Sequence, residues 1–264
     1  MGSVVALAGQ IGGAKLADGL RRARPGRLSV IVNTGDDYEL LGLSISPDVD
    51  TMLYTLSGIA DPHRGWEPVE ETFSFYDMLN RLGGADRIPL GDRSMATQLL
   101  RAEALRNERR LTEITLDFCR ALDIDARVLP MSDDPVRTQV VTEAGAVRYH
   151  EYFFDLQCEP VVKEFFYAGA DGARLRLPRG GEDALGGAVL DAHLRRVVAA
   201  AIRGRVTEEQ HQAALTQCGR DLRRVGRRRR RWPLRHSVVA CPARRQHHQS
   251  PHQPQHPHPH REGL

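Results

Sequence analysis

No stretch of the 264 residues is apolar for long enough to cross a bilayer. The first residues carry no basic leader, and the early apolar run from Val4 to Ala8 is short, so it reads as a first strand and not as a signal peptide. Met1-Gly2-Ser3 is not followed by Ser or Thr at position 6, which leaves myristoylation unsupported. Cysteine is scarce. Cys119, Cys158, Cys218 and Cys241 lie far apart and lack metal-type spacing, so they read as reduced thiols of a cytoplasmic protein.

Two familiar phosphate loops are missing as well. Ser3 to Ala8 reads as a strand, and Gly9-Gln10-Ile11-Gly12-Gly13-Ala14-Lys15 leads into a helix with Leu16, Ala17 and Leu20 at helical spacing. Strand, glycine loop and helix is the layout that turns backbone N–H groups toward an anion. The dinucleotide fingerprint fails because Gln10-Ile11 breaks its glycine spacing. The triphosphate loop fails because Leu16 follows Lys15, where a hydroxyl is needed for a metal. A phosphate site at Gly12, Gly13 and Lys15 and a plain strand-to-helix turn both stay open on these grounds.

Charge is present, but unevenly divided. Residues 1–170 hold 18 basic and 26 acidic side chains, and residues 171–264 hold 19 and 8. The basic total therefore belongs to the tail, and a nucleic-acid function would have to be argued from the tail alone. The acidic part contains the most unusual stretch. Leu28-Ser29-Val30-Ile31-Val32 reads as a buried strand, and Asn33-Thr34-Gly35-Asp36-Asp37 follows it directly. Ser46-Pro47-Asp48-Val49-Asp50-Thr51 comes next, with Asp50 read as the cap of a helix from Thr51 to Ile59. Carboxylates gathered beyond one strand repel one another and raise each other's pKa, a conflict that a hard divalent cation resolves. The alternative is that Asp36, Asp37 and Asp48 are turn residues and Asp50 a cap.

Further along, Phe73 to Leu82 suits a helix ending at Gly83-Gly84, Ser94 reads as the cap of a helix from Met95 to Asn107, and Thr112 as that of Leu111 to Leu122. Arg93 stands just before a helix N-terminus, where a cation opposes the dipole, so a bound anion would explain it better than stability does. His63-Arg64 reads as a solvated pair in a polar loop. Ala126 to Pro130 reads as a strand that ends in the polar turn Met131-Ser132-Asp133-Asp134-Pro135, and a hairpin is expected with its turn at Glu143–Gly145 and its second strand running from Val147 to Tyr152. The fold class expected is α/β: a mostly parallel, Rossmann-like sheet with helices on both faces and an antiparallel hairpin excursion. Ligands should sit beyond the carboxyl ends of its strands.

These motifs, in this order, resemble the 2-phospho-L-lactate transferases of coenzyme F-420 biosynthesis, the CofD family. The matching pieces are Gly12 to Leu16, Val32 to Asp37, Ser46 to Thr51, Asp61 with Arg64-Gly65-Trp66, Leu90 to Arg93 with Ala96-Thr97, and Leu129 to Pro135. The resemblance covers residues 4 to 170. It implies a Mg²⁺-dependent transfer in which a hydroxyl of a deazaflavin acceptor attacks a guanosine-diphosphate-linked three-carbon acid donor and GMP leaves. It also implies Asp36 and Asp50 as metal ligands and Asp50 and Arg93 at the acceptor, with Asp48, Asn33 and Ser132 assisting. A homodimer is compatible with it, and a membrane partner is not implied. A different nucleotide-linked transferase on the same scaffold is the alternative within the enzyme class.

The chain departs from the family pattern. Gln10 stands where the family usually has Gly, and Ser94 and Gln98 stand where it often has Asp and His. The later Pro-Ser-Asn-Pro loop is missing. Residues 1–170 are accordingly expected to be a transferase domain incomplete relative to the family, residues 171–226 an atypical helical segment, and residues 227–264 a disordered Arg/His/Pro/Gln-rich tail. The tail contains no lysine, and between Gln246 and His260 it is nearly all His, Gln and Pro. It reads as a basic arm for nucleic acid, as a His-rich metal tract, or as an out-of-frame replacement of the family's second half. The composition favours the third, and with it a poor catalyst.

Overall fold

The computed structural model describes residues 4–84 and 88–173. In chain order the elements are β1 (Val4–Ala8), α1 (Gln10–Ala23), β2 (Leu28–Val32), β3 (Tyr38–Leu40), β4 (Leu43–Ile45), α2 (Pro47–Ser57), α3 (Ser74–Arg81), α4 (Asp92–Arg106), α5 (Leu111–Ala121), β5 (Arg127–Pro130), β6 (Arg137–Thr142), β7 (Gly145–Arg148) and β8 (Val162–Ala168), with one π turn at Glu151–Asp155. The α/β class is as expected. The expectations for residues 171–226 and 227–264 lie almost wholly outside the described residues.

Strands β1, β2 and β5 form a parallel sheet with β2 in the middle, and all of β2 is buried. A strand paired on both sides and covered on both faces can only be an apolar run, as Leu28 to Val32 nearly is. In register, Ala6, Val30 and Val128 line one face. Helices α1 and α2 close that face, with Ala14, Ala17, Val49, Met52, Leu53 and Leu56 packed on Val30, Val32 and Val128. Ile31 and Leu129 point the other way and meet Met131, Val136 and Ala173, with Leu116 of α5 and Tyr167 alongside. The second face is thus closed largely by chain that leaves and re-enters the antiparallel sheet β7-β6-β8, and less by helix than expected. Burying side chains such as Met52 and Leu53 contributes about 2 kcal/mol each.

Several boundaries differ from the sequence reading. Helix α1 begins at Gln10, so Gly12 and Gly13 are helical and the glycine loop shrinks to Gly9. Gly13 is small because a Cβ there would stand 2.9 Å from that of Ala8, and the helix could not lie so close to its strand. Helix α2 begins at Pro47, whose fixed φ suits the first helical position, so Asp48 and Asp50 both lie in its first turn. Helix α4 begins at Asp92, ahead of Ser94. At the start of α5 Glu113 accepts from the backbone N–H and the guanidinium of Arg110, in place of a cap by Thr112. The hairpin turns as expected, but β7 stops at Arg148, and Tyr152 is buried in the π turn with its hydroxyl donating to the carbonyls of Cys158 and Pro160. Among the described residues no helix is long and apolar enough to cross a membrane.

Candidate active site

The carboxyl ends of the three parallel strands meet at the N-terminus of α2. Backbone bonds tie them together: Asn33 N–H donates to Ala8 O at 3.1 Å, and Met131 N–H donates to Val32 O at 2.8 Å. Into this junction project Asp36, from the loop after β2, and Asp48, from the first turn of α2. The Asn33 side-chain amide donates to Asp48 Oδ2 at 2.9 Å and to Asp36 Oδ2 at 3.3 Å, bridging them. Gln10 N–H donates to the other Asp48 oxygen at 3.0 Å, and Thr138 Oγ1 of β6 to Asp36 Oδ1 at 2.8 Å. Two glycines make room. A Cβ at Gly9 would stand 2.9 Å from Asp48 Oδ2, and one at Gly35 would stand 2.9 Å from Thr138 Oγ1.

These carboxylates are electrostatically unfavourable where they sit. Burial and the neighbouring Asp36 push Asp48 up to about 7, with its hydrogen bonds opposing the shift. Burial also holds Asp36 above the usual carboxylate range, against the bonds from Thr138 and Asn33. Asp37, bonded by Ser46 Oγ at 2.8 Å, is pushed up to about 8 by burial. Its Oδ1 and Thr34 Oγ1 are buried with no hydrogen-bond partner among the described residues.

Asp50 stands apart. Both its oxygens accept from Arg101, a fully buried residue of α4 that also donates to Ser44 O at 3.0 Å. Tyr54 and Thr97 share a hydroxyl bond of 2.9 Å next to it. The structure therefore pairs Asp36 with Asp48 and not with Asp50, which serves as one half of a buried ion pair joining α2 to α4.

Arg93 is the second residue of α4, half exposed. It pairs with Glu70 at 2.9 Å and donates to Val69 O at 3.0 Å. Its placement needs no bound anion. Glu71 accepts from the backbone N–H groups of Arg93 and Ser94 and from Ser94 Oγ, so a carboxylate already sits on the helix N-terminus. In return Asp92 accepts from Thr72 Oγ1 and from the N–H groups of Ser74 and Phe75, capping α3. Ser132 is buried in the turn after β5, where its Oγ accepts from Asp134 N–H at 3.0 Å, and the neighbouring Asp133 accepts from Thr112 N–H at 2.7 Å. Gly12 and Lys15 are exposed on α1. Arg64 pairs with Glu67, its own near neighbour.

Among the described residues no three His, Cys, Asp or Glu side chains gather as a metal cluster. The Asp36–Asp48 pair nevertheless fits Mg²⁺, which takes one or two carboxylates and fills its remaining positions with water and substrate phosphate. Its oxygens are hard donors, and two raised carboxylates bridged by a single amide are short of positive charge. Asp50 fits less well, since Arg101 already neutralises it.

The family described as 2-phospho-L-lactate transferase CofD matches residues 4–189. The chain belongs to the CofD family. A CofD-family protein of Methanosarcina acetivorans, named 2-phospho-L-lactate transferase, is 38% identical over 60% of this chain and 52% of its own length. Others of Streptomyces griseus and Streptomyces coelicolor, both named phosphoenolpyruvate transferase, are 38% and 37% identical over 65% of this chain and 56% of theirs. The chain thus spans little more than half the length of the CofD-family relatives it matches.

Sequence reasoning missed Thr138, Arg101, Glu71 and Asp92. Thr138 and Asp36 are far apart in the chain and meet only through the sheet. Arg101 carried a readable signal. Ser94, Gln98 and Arg101 share one helical face, and that polar face is the buried one, while Leu99 and Leu100 are half exposed.

Proposed function

We propose that this chain carries the α/β part of a transferase that moves a phosphorus-containing three-carbon acid group, of the 2-phospho-L-lactate or phosphoenolpyruvate type, from a guanosine-diphosphate-linked donor to a hydroxyl of a deazaflavin acceptor, releasing GMP. The observation that carries the reading is the Asp36–Asp48 pair at the junction of the three parallel strand ends, two buried carboxylates joined by the Asn33 amide. Family membership, through relatives named for these two transfers, supports it.

Transfer at phosphorus needs positioning and charge neutralisation more than covalent help. Asp36 and Asp48 would hold Mg²⁺, which when bound supplies the positive charge that a phosphoryl-type transition state requires. Thr138 and Gln10 N–H fix the outer oxygens of the pair, and Asn33 fixes the inner ones. Arg93, at an exposed helix start, is available to the acceptor if it exchanges Glu70 for a ligand. Asp50 contributes by holding the first turn of α2 in place through Arg101. Gly12 and Lys15, exposed on the first turns of α1, are available to the donor's phosphates, whereas Gly13 is taken up by packing on Ala8 and Ser132 Oγ by the N–H of Asp134.

The test is an assay of the purified chain with deazaflavin acceptor, guanosine-diphosphate-linked donor and Mg²⁺, following GMP and the phosphodiester by mass spectrometry. Because about half of the relatives' length is unmatched, turnover is expected well below the roughly 10 per second of an ordinary enzyme. It should vanish with chelator and fall at least about 100-fold in Asp36→Asn, as loss of a charge-stabilising group does. Product formation indifferent to both changes would sink the reading.

A further inference from the structure

Beside the carboxylate pair, a cleft of about 220 Å³ opens between the segment from Gly35 to Glu39, which runs into β3, and the β6–β7 hairpin. It is smaller than the pockets that take drug-sized molecules. One wall is the stacked pair Tyr38 and His150, with ring centroids 4.4 Å apart and planes inclined by 20°. Asp36 lies in the cleft, held by Thr138.

The cleft has two arginines, Arg137 and Arg148, and they are not equivalent. Arg148 is tied to Glu151. Arg137 has no carboxylate within ion-pair distance among the described residues, and its Nη1 donates only to its neighbour's carbonyl, Val136 O, at 2.8 Å. It is half-buried on a strand anchored by pairing on both sides. It lines the cleft together with Asp37 of the acidic stretch and His150 beyond the hairpin. A strand-borne guanidinium with free donors, aimed into a small half-enclosed space, is arranged to grip an oxyanion with paired hydrogen bonds.

We propose that this cleft is the subsite for a compact organic acid, and that Arg137 grips its carboxylate or phosphate beside Asp36. The inference rests on the transferase reading for the identity of that acid, namely the three-carbon phospho-acid part of the donor. The nearby acidic groups do not forbid an anion. Asp37 is engaged by Ser46 Oγ at 2.8 Å, and Asp36 is the carboxylate that a divalent cation would neutralise. The volume admits a three-carbon acid with a few waters.

The test is binding to the full-length chain, with Mg²⁺ present and no acceptor, of three probes by calorimetry and ligand-observed NMR: phosphoenolpyruvate, lactate and inorganic phosphate. Phosphoenolpyruvate is expected to bind more tightly than either of the others. Its Kd should rise about 10- to 100-fold in Arg137→Gln, the range for losing charge-assisted hydrogen bonds, and recover in part in Arg137→Lys. Arg120→Gln, on the exposed side of α5, should change nothing, and the thermal midpoint of Arg137→Gln should match the parent chain. Equal affinity for phosphoenolpyruvate in Arg137→Gln, or equal binding of inorganic phosphate, overturns the proposal. The two readings fail separately. Arg137-dependent binding without any transfer would sink the transferase reading alone. Transfer lost in Asp36→Asn, with donor KM unmoved in Arg137→Gln, would sink the subsite alone.

Discussion

Helix α2 is held on two sides by opposite kinds of chemistry. Toward α1 and the sheet it presents Val49, Met52, Leu53 and Leu56 to a dry apolar layer. Toward α4 it presents Asp50 and Tyr54, which meet Arg101 and Thr97. The apolar side supplies stability through area removed from water. The polar side supplies little net stability, because desolvating both charges offsets their attraction, but it fixes where the first turn of α2 sits. Asp48 occupies that same turn, so the polar side sets the geometry of the carboxylate pair.

The comparison can be broken most directly at Arg101. Arg101→Met leaves Asp50 buried and uncompensated, and stability is expected to fall by about 4 kcal/mol. The double change Arg101→Met with Asp50→Leu should recover much of that loss. Urea unfolding of the single and double variants reads both outcomes, and a double variant as unstable as the single would show that the polar side does stabilise.

On the apolar side, Leu53→Ala should cost about 3 kcal/mol, as cavity formation in a packed layer does. It should leave the pH dependence of stability unchanged, which Arg101→Met should not. Unfolding at several pH values distinguishes the two sides.

The third effect concerns the raised carboxylates. Asp37 and Asp48 bind their protons more tightly in the folded state, at about 8 and about 7, than in the unfolded chain. Their contribution is therefore fully present below the unfolded value near ~4 and is lost as pH rises through 7 to 8. With chelator present, stability should fall across that window, and Asp37→Asn should flatten the fall and stabilise the protein at pH 8 by about 2 kcal/mol. Added Mg²⁺ should oppose the fall in the parent chain and do less in Asp48→Asn.

The smallest effect sharpens the α1 side. Gln10 holds φ 52°, a conformation unusual for a non-glycine residue. Gln10→Gly should stabilise by about 0.5 kcal/mol, the relieved strain outweighing the added freedom of the unfolded chain. A thermal scan at fixed pH reads the sign.

The legibility of the sequence follows the same division. Strands β1, β2 and β5 were readable because a run such as Val30-Ile31-Val32 has few other uses, and the acidic stretch from Asp36 to Asp50 drew notice because acids gathered after a buried strand need a reason, but that Asp36 meets Asp48 and not Asp50 was not legible. The start of α1 was not, since a glycine-rich string looks like a loop, and only packing of Gly13 on Ala8 shows it to be helix. The pairing of Asp50 was not legible for a related cause. Its partner Arg101 lies 51 residues away, on a helix whose buried face is polar and whose leucines face outward. Arg137 drew no notice because an arginine on a strand is ordinary until its surroundings are seen.

The exchange of carboxylates between α3 and α4 has a kinetic consequence. Helix α3 has no buried residue, so packing alone cannot keep it folded. Its first turn is held by Asp92, which belongs to α4, and the first turn of α4 is held by Glu71, which precedes α3. Each start is closed by a residue whose position depends on the other helix. Fraying of either one releases the cap of its partner, so the two first turns should open as one cooperative unit. In hydrogen exchange, the amides of Phe75 and Ser94 should report a single opening event, and removing either carboxylate should speed exchange at both.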